Sequence, residues 1–454
     1  MSLSQRFQNL LETLALHRPE LRAWAMYDWA ITGFYAVVVV AVFPIYFQDV
    51  AAAHVPDDEA TQWYAIITTI GLAIAAAMAP VLGAITDFIA VKKRLLGTFA
   101  GLGFAAVGGM YFIHEGDVVL ASILFIAANI GANASVIFYD SLLPHIADED
   151  EVDRVSSAGF AVGYIGATSI LVLTLVLILQ PTWFGFAEES TMPVRLSFIG
   201  VALWWAVFSI PVLKTVPEPP LKVDDPDIGF RQATIKGLRG LKKTVGKLQS
   251  YRNAFLFLIA FLIYNDGIGT IIRMAGAYGR ELGFEQGLLM GAIIVVQVIA
   301  IPFTFLFGII ADRLGTKPTI FIGLFVYMGI SILGYLMTEP MHFVGLAVMV
   351  GMVQGGTQAL SRSLFASMIP RFESGRFFGF FAVFERFSGI LGPTVFALVG
   401  FAEFGAAEGS RPAILSIIAF FIIGAAILSF VDVDEGREIA REAERKMAEN
   451  ESTD

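Results

Sequence analysis

The side chains of this 454-residue chain that could do chemistry are the few charged and amide groups set inside long apolar runs. A charge facing hydrocarbon costs at least ~2.5 kcal/mol on insertion scales, so a charge in such a run needs a partner or a function. Asp266 falls near the middle of the run 253–275, after Tyr264 and Asn265 and before Gly267 and Gly269. A carboxylate there could hold a proton or a solute ammonium. It could also pair with Arg273, two turns away on the same face, for packing alone. Asp28, with Tyr27 beside it, occupies the matching place in the first run, where it is either a cavity acid or a helix-end charge. Glu385 and Arg386 lie mid-run in 376–400. As helix neighbours they point about 100° apart and can reach different partners. Asn129 and Asn133 share a helix face, as do Gln354 and Gln358. Such amides hydrogen-bond between helices, at roughly 0.6–2 kcal/mol each, or to a solute. Apart from Gly267, Gly269 and Arg273, these eleven residues are the candidate substrate- or proton-binding set.

A second kind of chemistry sits at the ends of the runs. Gly83-Ala84-Ile85-Thr86-Asp87 is followed by Lys92, Lys93 and Arg94, and the pattern returns as Gly308-Ile309-Ile310-Ala311-Asp312 with Arg313 and Lys317. Asp140 closes one further run, and Arg362 stands at the corresponding place in the other half. Ion pairs across two rocking bodies hold one state and must break for the other, so these groups are expected to form a gate.

The elements that must position these groups are helices in lipid. Apolar residues make up 56% of the chain and charged residues 15%; mean hydropathy is +0.72. A soluble chain is about one-quarter charged. About twelve continuous runs are long enough to cross a bilayer as helices, which argues against the alternating segments of a barrel. They fall near 24–47, 62–86, 95–113, 118–142, 157–180, 194–216, 253–275, 285–310, 318–337, 342–363, 376–400 and 412–431. The domains expected are a cytoplasmic segment 1–22, a six-helix bundle 23–216, a linker 217–252, a second six-helix bundle 253–431 and a charged cytoplasmic tail 432–454. Leu3, Phe7, Leu10 and Leu14 suit a helix lying on the membrane surface, and the linker carries a basic amphipathic stripe after Pro217, Pro219 and Pro220.

Of the 30 Lys and Arg residues, only Arg195, Arg273, Arg280 and Arg411 fall on one side, with Arg362 and Arg386 inside runs. The positive-inside rule therefore places both termini in the cytoplasm. No removable signal peptide is expected in the first ~20 residues. Matching landmarks recur in order in the two halves: Tyr27-Asp28 with Tyr264-Asn265-Asp266, Tyr139-Asp140-Ser141 with Ser361-Arg362-Ser363, and Gly163 and Gly166 with Gly389 and Gly392. Parallel repeats of this kind are related by an axis along the membrane normal.

On these residues the chain resembles the major facilitator superfamily. The first motif copy carries Ala90 where a glycine is usual, whereas the second keeps Gly315. Trp24-Ala25-Met26-Tyr27-Asp28-Trp29-Ala30, Val42-Phe43-Pro44-Ile45-Tyr46-Phe47, Ser141-Leu142-Leu143-Pro144-His145 and Tyr264-Asn265-Asp266-Gly267 resemble the branch of fungal autophagy-linked vacuolar amino-acid effluxers and their bacterial relatives. That branch usually continues its first segment with Asn-Ser, where this chain has Ile31-Thr32. The resemblance implies an all-α polytopic membrane protein of twelve transmembrane helices in two pseudo-symmetric six-helix bundles. It also implies inter-helix ion pairs at the gate turns in the outward-open state.

The function expected is secondary active transport of a small polar or amphipathic solute, an amino acid or similar metabolite, by alternating access coupled to protons. Membrane lipids are expected neighbours, nucleic acid is not, and a monomer in a bacterial inner membrane is the expected setting. A lipid or lysolipid flippase on the same fold, or a membrane sensor that moves nothing, are the alternatives. No cysteine is present, and His17, His54, His114, His145 and His342 all lie outside the deep parts of the runs. With no Ser/His/Asp spacing, metal-ligand cluster or phosphate-cradling loop in view, no enzyme activity, cofactor or metal is expected.

Overall fold

The computed structural model describes residues 3–220, 250–388 and 411–453, together with Gln232, Thr234, Ile235, Lys236, Gly392 and Val395. Among them the chain is helical throughout. A short α1 (Leu3–Thr13) is followed by α2 (Pro19–Ala51), α3 (Asp57–Ile85), α4 (Lys92–Gly109), α5 (Val118–Ile146), α6 (Val152–Leu179) and α7 (Met192–Thr215). The second half holds α8 (Arg252–Glu281), α9 (Gln286–Leu314), α10 (Thr316–Tyr335), α11 (Pro340–Ser367), α12 (Ser374–Phe387), α13 (Arg411–Ser416), α14 (Ile418–Ser429) and α15 (Val433–Thr453).

Ten of these are long and apolar enough to cross a membrane, or up to 11 if the bent pair Ala413–Ser429 and Val433–Glu449 is one span. The count falls short of twelve because the eleventh expected run, 376–400, is described only as far as Ser388 and at Gly392 and Val395. The basic stripe of the linker lies almost wholly outside them too.

Local sequence explains several helix ends. Pro19, Pro193 and Pro340 occupy first-turn positions, where a missing N–H leaves no bond unmade. Glu339 and His342 form a reciprocal cap on α11. Gly315 joins α9 to α10 at φ 91°, a left-handed turn that favours glycine. The first motif copy passes Ala90 without a left-handed residue, so that turn has no need of glycine. In α2 the helix widens into π turns at Tyr35–Val42 and Phe47–Ala51, on either side of Phe43–Tyr46 with its donor-less Pro44.

The apolar surface is turned outward along the spans. On α10, Ile322, Phe325, Ile332 and Leu333 are exposed while Ile320, Leu324 and Tyr327 are buried, the pattern of a helix between protein and lipid.

The two halves meet through paired helices. In the first half α2 packs on α6 and α7, and α4 on α5; in the second, α9 packs on α11, and α8 on α14. Across the boundary α3 packs on α12, and α6 on α9 and α11. Both chain termini lie at one end. Arg154 of α6 donates to the Glu12 carbonyl, Arg441 of α15 bridges to Glu149, and Lys317 donates to the Val431 carbonyl. This terminal end is also where the Asp87 and Asp312 turns sit.

Candidate functional site

A cavity of about 890 Å³ lies between the two bundles. Its lining runs from Asp28, Asp140 and Arg362 toward the opposite end of the molecule, where Tyr278, Met337 and Phe343 border it. The outer part of the second bundle gives it an apolar wall that includes Met274, Leu289, Ile293 and Val296. Thr32, Tyr35, Asn265, Gln354, Gln358, Glu385 and Arg386 add polar groups to the lining.

The floor is organised by one arginine. Arg362 leaves α11 of the second bundle and is held by the first. Its Nη1 donates to Asp140 Oδ1 at 3.0 Å, and Nη2 stands 3.4 Å from Asp28 Oδ2. Nε donates to Ser156 Oγ and Nη2 to the Ser156 carbonyl, both at 3.0 Å. The guanidinium carbon lies 4.7 Å from the Trp24 ring centre and 4.5 Å from that of Phe160. Tyr139 donates its hydroxyl to Asp28 at 2.6 Å. Arg362 is 4% exposed, so its charge is stabilised by these partners rather than by water. Gly159 makes room for the cluster: a Cβ there would stand 2.6 Å from Asp28 Oδ2.

Tyr-plus-one is the position that faces the cavity in both halves. Asp28 follows Tyr27, Asn265 follows Tyr264, and both line the space. Tyr27 and Tyr264 are fully buried beside it, donating to or sharing a proton with Ser135 and Ser361, each at 2.6 Å. Each bond ties the first helix of its half to the fourth. Asp266, one residue on, is turned into the second bundle, where the Gly392 N–H donates to its carboxylate at 2.9 Å. It is fully buried and outside the cavity lining, within electrostatic reach of Arg273, which does line it.

Gln354 and Gln358 border the space. Asn129 and Asn133 are buried behind it, each donating to a carbonyl one turn back, Phe125 and Asn129. Tyr35 carries the connection forward: its hydroxyl donates to Asn133 Oδ1 at 3.2 Å and also bonds Arg386 of the second bundle. Arg386 and its chain neighbour Glu385 come within 3.5 Å at the cavity surface. Asn265 donates to Ser388 Oγ at 2.7 Å. Tyr35 and Ser156 were missed from the sequence, and Tyr139 entered only as a repeat landmark, because hydroxyls in apolar runs give no signal without the folded partner.

The terminal end is closed by two related contacts. In the first, the Gly375 and Arg376 N–H groups at the start of α12 donate to the two oxygens of Asp87, both at 3.0 Å. A carboxylate suits unpaired amides at a helix start. Burial pushes the Asp87 carboxyl up, to about 7, against the lowering pull of Lys92 and Arg376. Gly83 lets α3 touch α12; a Cβ there would fall 2.1 Å from the Gly375 carbonyl oxygen. In the second contact Asp312 pairs with Arg154 of α6 at 2.8 Å. Gly308 is the close approach here, with a Cβ reaching 2.9 Å from that of Ser157. Asp153 adds hydrogen bonds from Thr316 and Ser363.

The basic residues of the turns are spread differently. Glu218 caps α4 by accepting from the Lys92 and Lys93 N–H groups, and Arg94 is exposed. Lys317 ties α10 to the end of α14 through the Ser429 and Val431 carbonyls, and Arg313 is exposed.

A family profile described as "Vacuole effluxer Atg22 like" matches residues 59–441. The chain belongs to this Atg22-like family of major facilitator transporters. The transporter is 33% identical over 427 residues to an uncharacterized MFS-type transporter, YxiO, of Bacillus subtilis, covering 92% of this chain and 96% of that protein. Autophagy-related protein 22-1 of Aspergillus niger is 27% identical over 314 residues, 65% of this chain. The transporter spans about half of that fungal relative, 49%. Among solved structures, the major facilitator proton:xylose symporter XylE shares the fold, with a TM-score of 0.70 and 15% identity over 91% of this chain and 95% of that one. The chain is thus a multi-pass membrane protein of the major facilitator fold.

Proposed function

We propose that the chain moves a small polar or amphipathic solute, an amino acid or a similar metabolite, by alternating access, and that protons drive it. The observation that carries this reading is the Arg362 cluster, in which the second bundle's arginine is gripped at the cavity floor by two carboxylates of the first. Protonating Asp28 or Asp140 weakens the hold, and so does a solute carboxylate competing for Arg362. Either event ties the contents of the cavity to the separation of the bundles. Ion pairs on both sides of the floor, and an apolar wall above it, suit a solute with a charged head and an apolar part.

In this reading the Asp87 and Asp312 contacts hold the terminal end shut while the cavity faces the other side. Both termini are then cytoplasmic, the chain works as a monomer in a bacterial cell membrane, and the solute is met from outside in the state described here. Asp266 acts at one remove, by fixing α8 against the helix that carries Gly392.

The apolar cavity wall also favours a second reading, a lysolipid flippase. Competition by lysolipids for a bound amino acid, followed by thermal shift, separates the two.

The test is flux into proteoliposomes under an imposed pH gradient, over a panel of amino acids, with wild type and Asp28→Asn compared. The reading expects gradient-driven accumulation of at least one solute in wild type and its loss in the variant, with counterflow of the same solute retained. Gradient-driven flux unchanged in Asp28→Asn removes this carboxylate from proton coupling.

A further inference from the structure

Where α4 begins, α5 ends and α12 begins, three side chains meet beside the Asp87 contact. Lys92 Nζ donates to Ser374 Oγ at 2.7 Å and stands 3.1 Å from His145 Nε2. Ser374 Oγ lies 3.0 Å from the same ring nitrogen. His145 also hydrogen-bonds the Arg371 backbone. Lys92 is 4% exposed and Ser374 fully buried. Lys92 and His145 belong to the first bundle, Ser374 and Arg371 to the second.

The chemistry of the ring decides what this arrangement can do. A neutral imidazole has one donor and one acceptor nitrogen, an ammonium has donors only, and a hydroxyl can do both. Nε2 faces an ammonium and a hydroxyl that is already accepting from it, so Nε2 must be the acceptor. A proton on Nε2 removes that acceptor and puts a second cation beside Lys92. The surrounding charges do not offset it. Glu218 is engaged by the Lys92 and Lys93 amides, Asp87 by the Gly375 and Arg376 amides, and Glu373 by the Arg376 side chain, while Arg371 and Arg376 add positive charge.

We propose that His145 is a positioning residue of the transport cycle: its neutral ring holds the first turn of α12 on the first bundle, and its protonation releases that turn and favours separation of the bundles at the terminal end. The proposal rests on the rocking motion of the proposed function.

Asp87 titrates in the opposite sense. Its carboxyl binds a proton more tightly when buried in the closed contact, so acid favours closure through Asp87 and opening through His145. The difference between wild type and His145→Gln isolates the histidine. Spin labels at Ala90→Cys and Leu314→Cys, in a chain with no other cysteine, report the distance across the terminal end of the full-length protein in lipid.

Between about pH 8 and about pH 5.5 the separated population should rise in wild type relative to His145→Gln by roughly tenfold, because the freed ring takes up a proton that the closed contact excludes. His145→Asn should match His145→Gln, and it serves if the glutamine variant does not fold. Identical pH responses in wild type and both variants overturn the assignment while leaving bundle motion intact. No separated population in wild type at any pH overturns both the assignment and the rocking motion.

Discussion

The Arg362 guanidinium, carried by the second bundle, donates to Asp140 of the first at 3.0 Å. Among the described residues its ion pairs are with Asp28 and Asp140, both from across the boundary. A buried charge stripped of its partner is costly. Arg362→Met should therefore destabilise the protein by about 3–5 kcal/mol, because two carboxylates are left behind. Adding Asp28→Asn and Asp140→Asn should recover most of the melting temperature without recovering transport. Thermal unfolding in detergent and flux in proteoliposomes measure the two effects separately.

The Asp87 contact gives a pH prediction with a definite sign. Its carboxyl sits at about 7 in the folded protein, because burial outweighs the nearby cations, against 3.8 for an aspartate in water. The folded state thus binds the extra proton, and the contribution to stability is fully present below about pH 4 and lost as pH rises through about 7. Wild type should lose more melting temperature than Asp87→Asn on going from about pH 5 to about pH 8. Equal losses in the two proteins would show that Asp87 titrates as it does in water.

Gly83 and Gly375 touch backbone to backbone, so there is no room for even a methyl group: a Cβ at Gly83 would fall 2.1 Å from the Gly375 oxygen. Gly83→Val should push α3 from α12 and bias the protein toward an open terminal end. Alkylation of Gln297→Cys in the cavity, from the side opposite the termini, should slow severalfold in the Gly83→Val background and stay unchanged with Gly200→Ala, where a Cβ meets nothing.

The bridge between Arg441 of α15 and Glu149 joins the tail to the first bundle, but both side chains are about half exposed. Exposed pairs of this kind add little to stability. Arg441→Ala should leave melting temperature and flux almost unaltered, and raising the salt concentration should erase any difference that remains.

The fold was largely legible in the sequence because lipid imposes a simple rule: every span must be a continuous apolar helix. The turns that carry Asp87 and Asp312 stood out because glycine, acid and base fall within one short stretch. Their partners were not, since the Gly375 and Arg376 amides and the Arg154 side chain reach Asp87 and Asp312 from far along the chain. The position of Arg362 opposite Asp140 was readable from the repeat. The grip of Trp24, Phe160 and Ser156 on it was not. Asp266 shows the sharper limit. Sequence places it near the middle of a span with Asp28 as its match, yet a step of one residue turns a helix by about 100°, and it is Asn265 that lines the cavity.

The central claim is that the cavity floor meets one side of the membrane and then the other. A single cysteine at Thr32, a cavity-lining position, tests it in vesicles with a membrane-impermeant thiol reagent supplied first outside and then only in the lumen. The account predicts labelling from both sides, with the balance shifted toward the terminal side by Gly83→Val. Labelling from one side alone, under every condition of pH and solute, would contradict it.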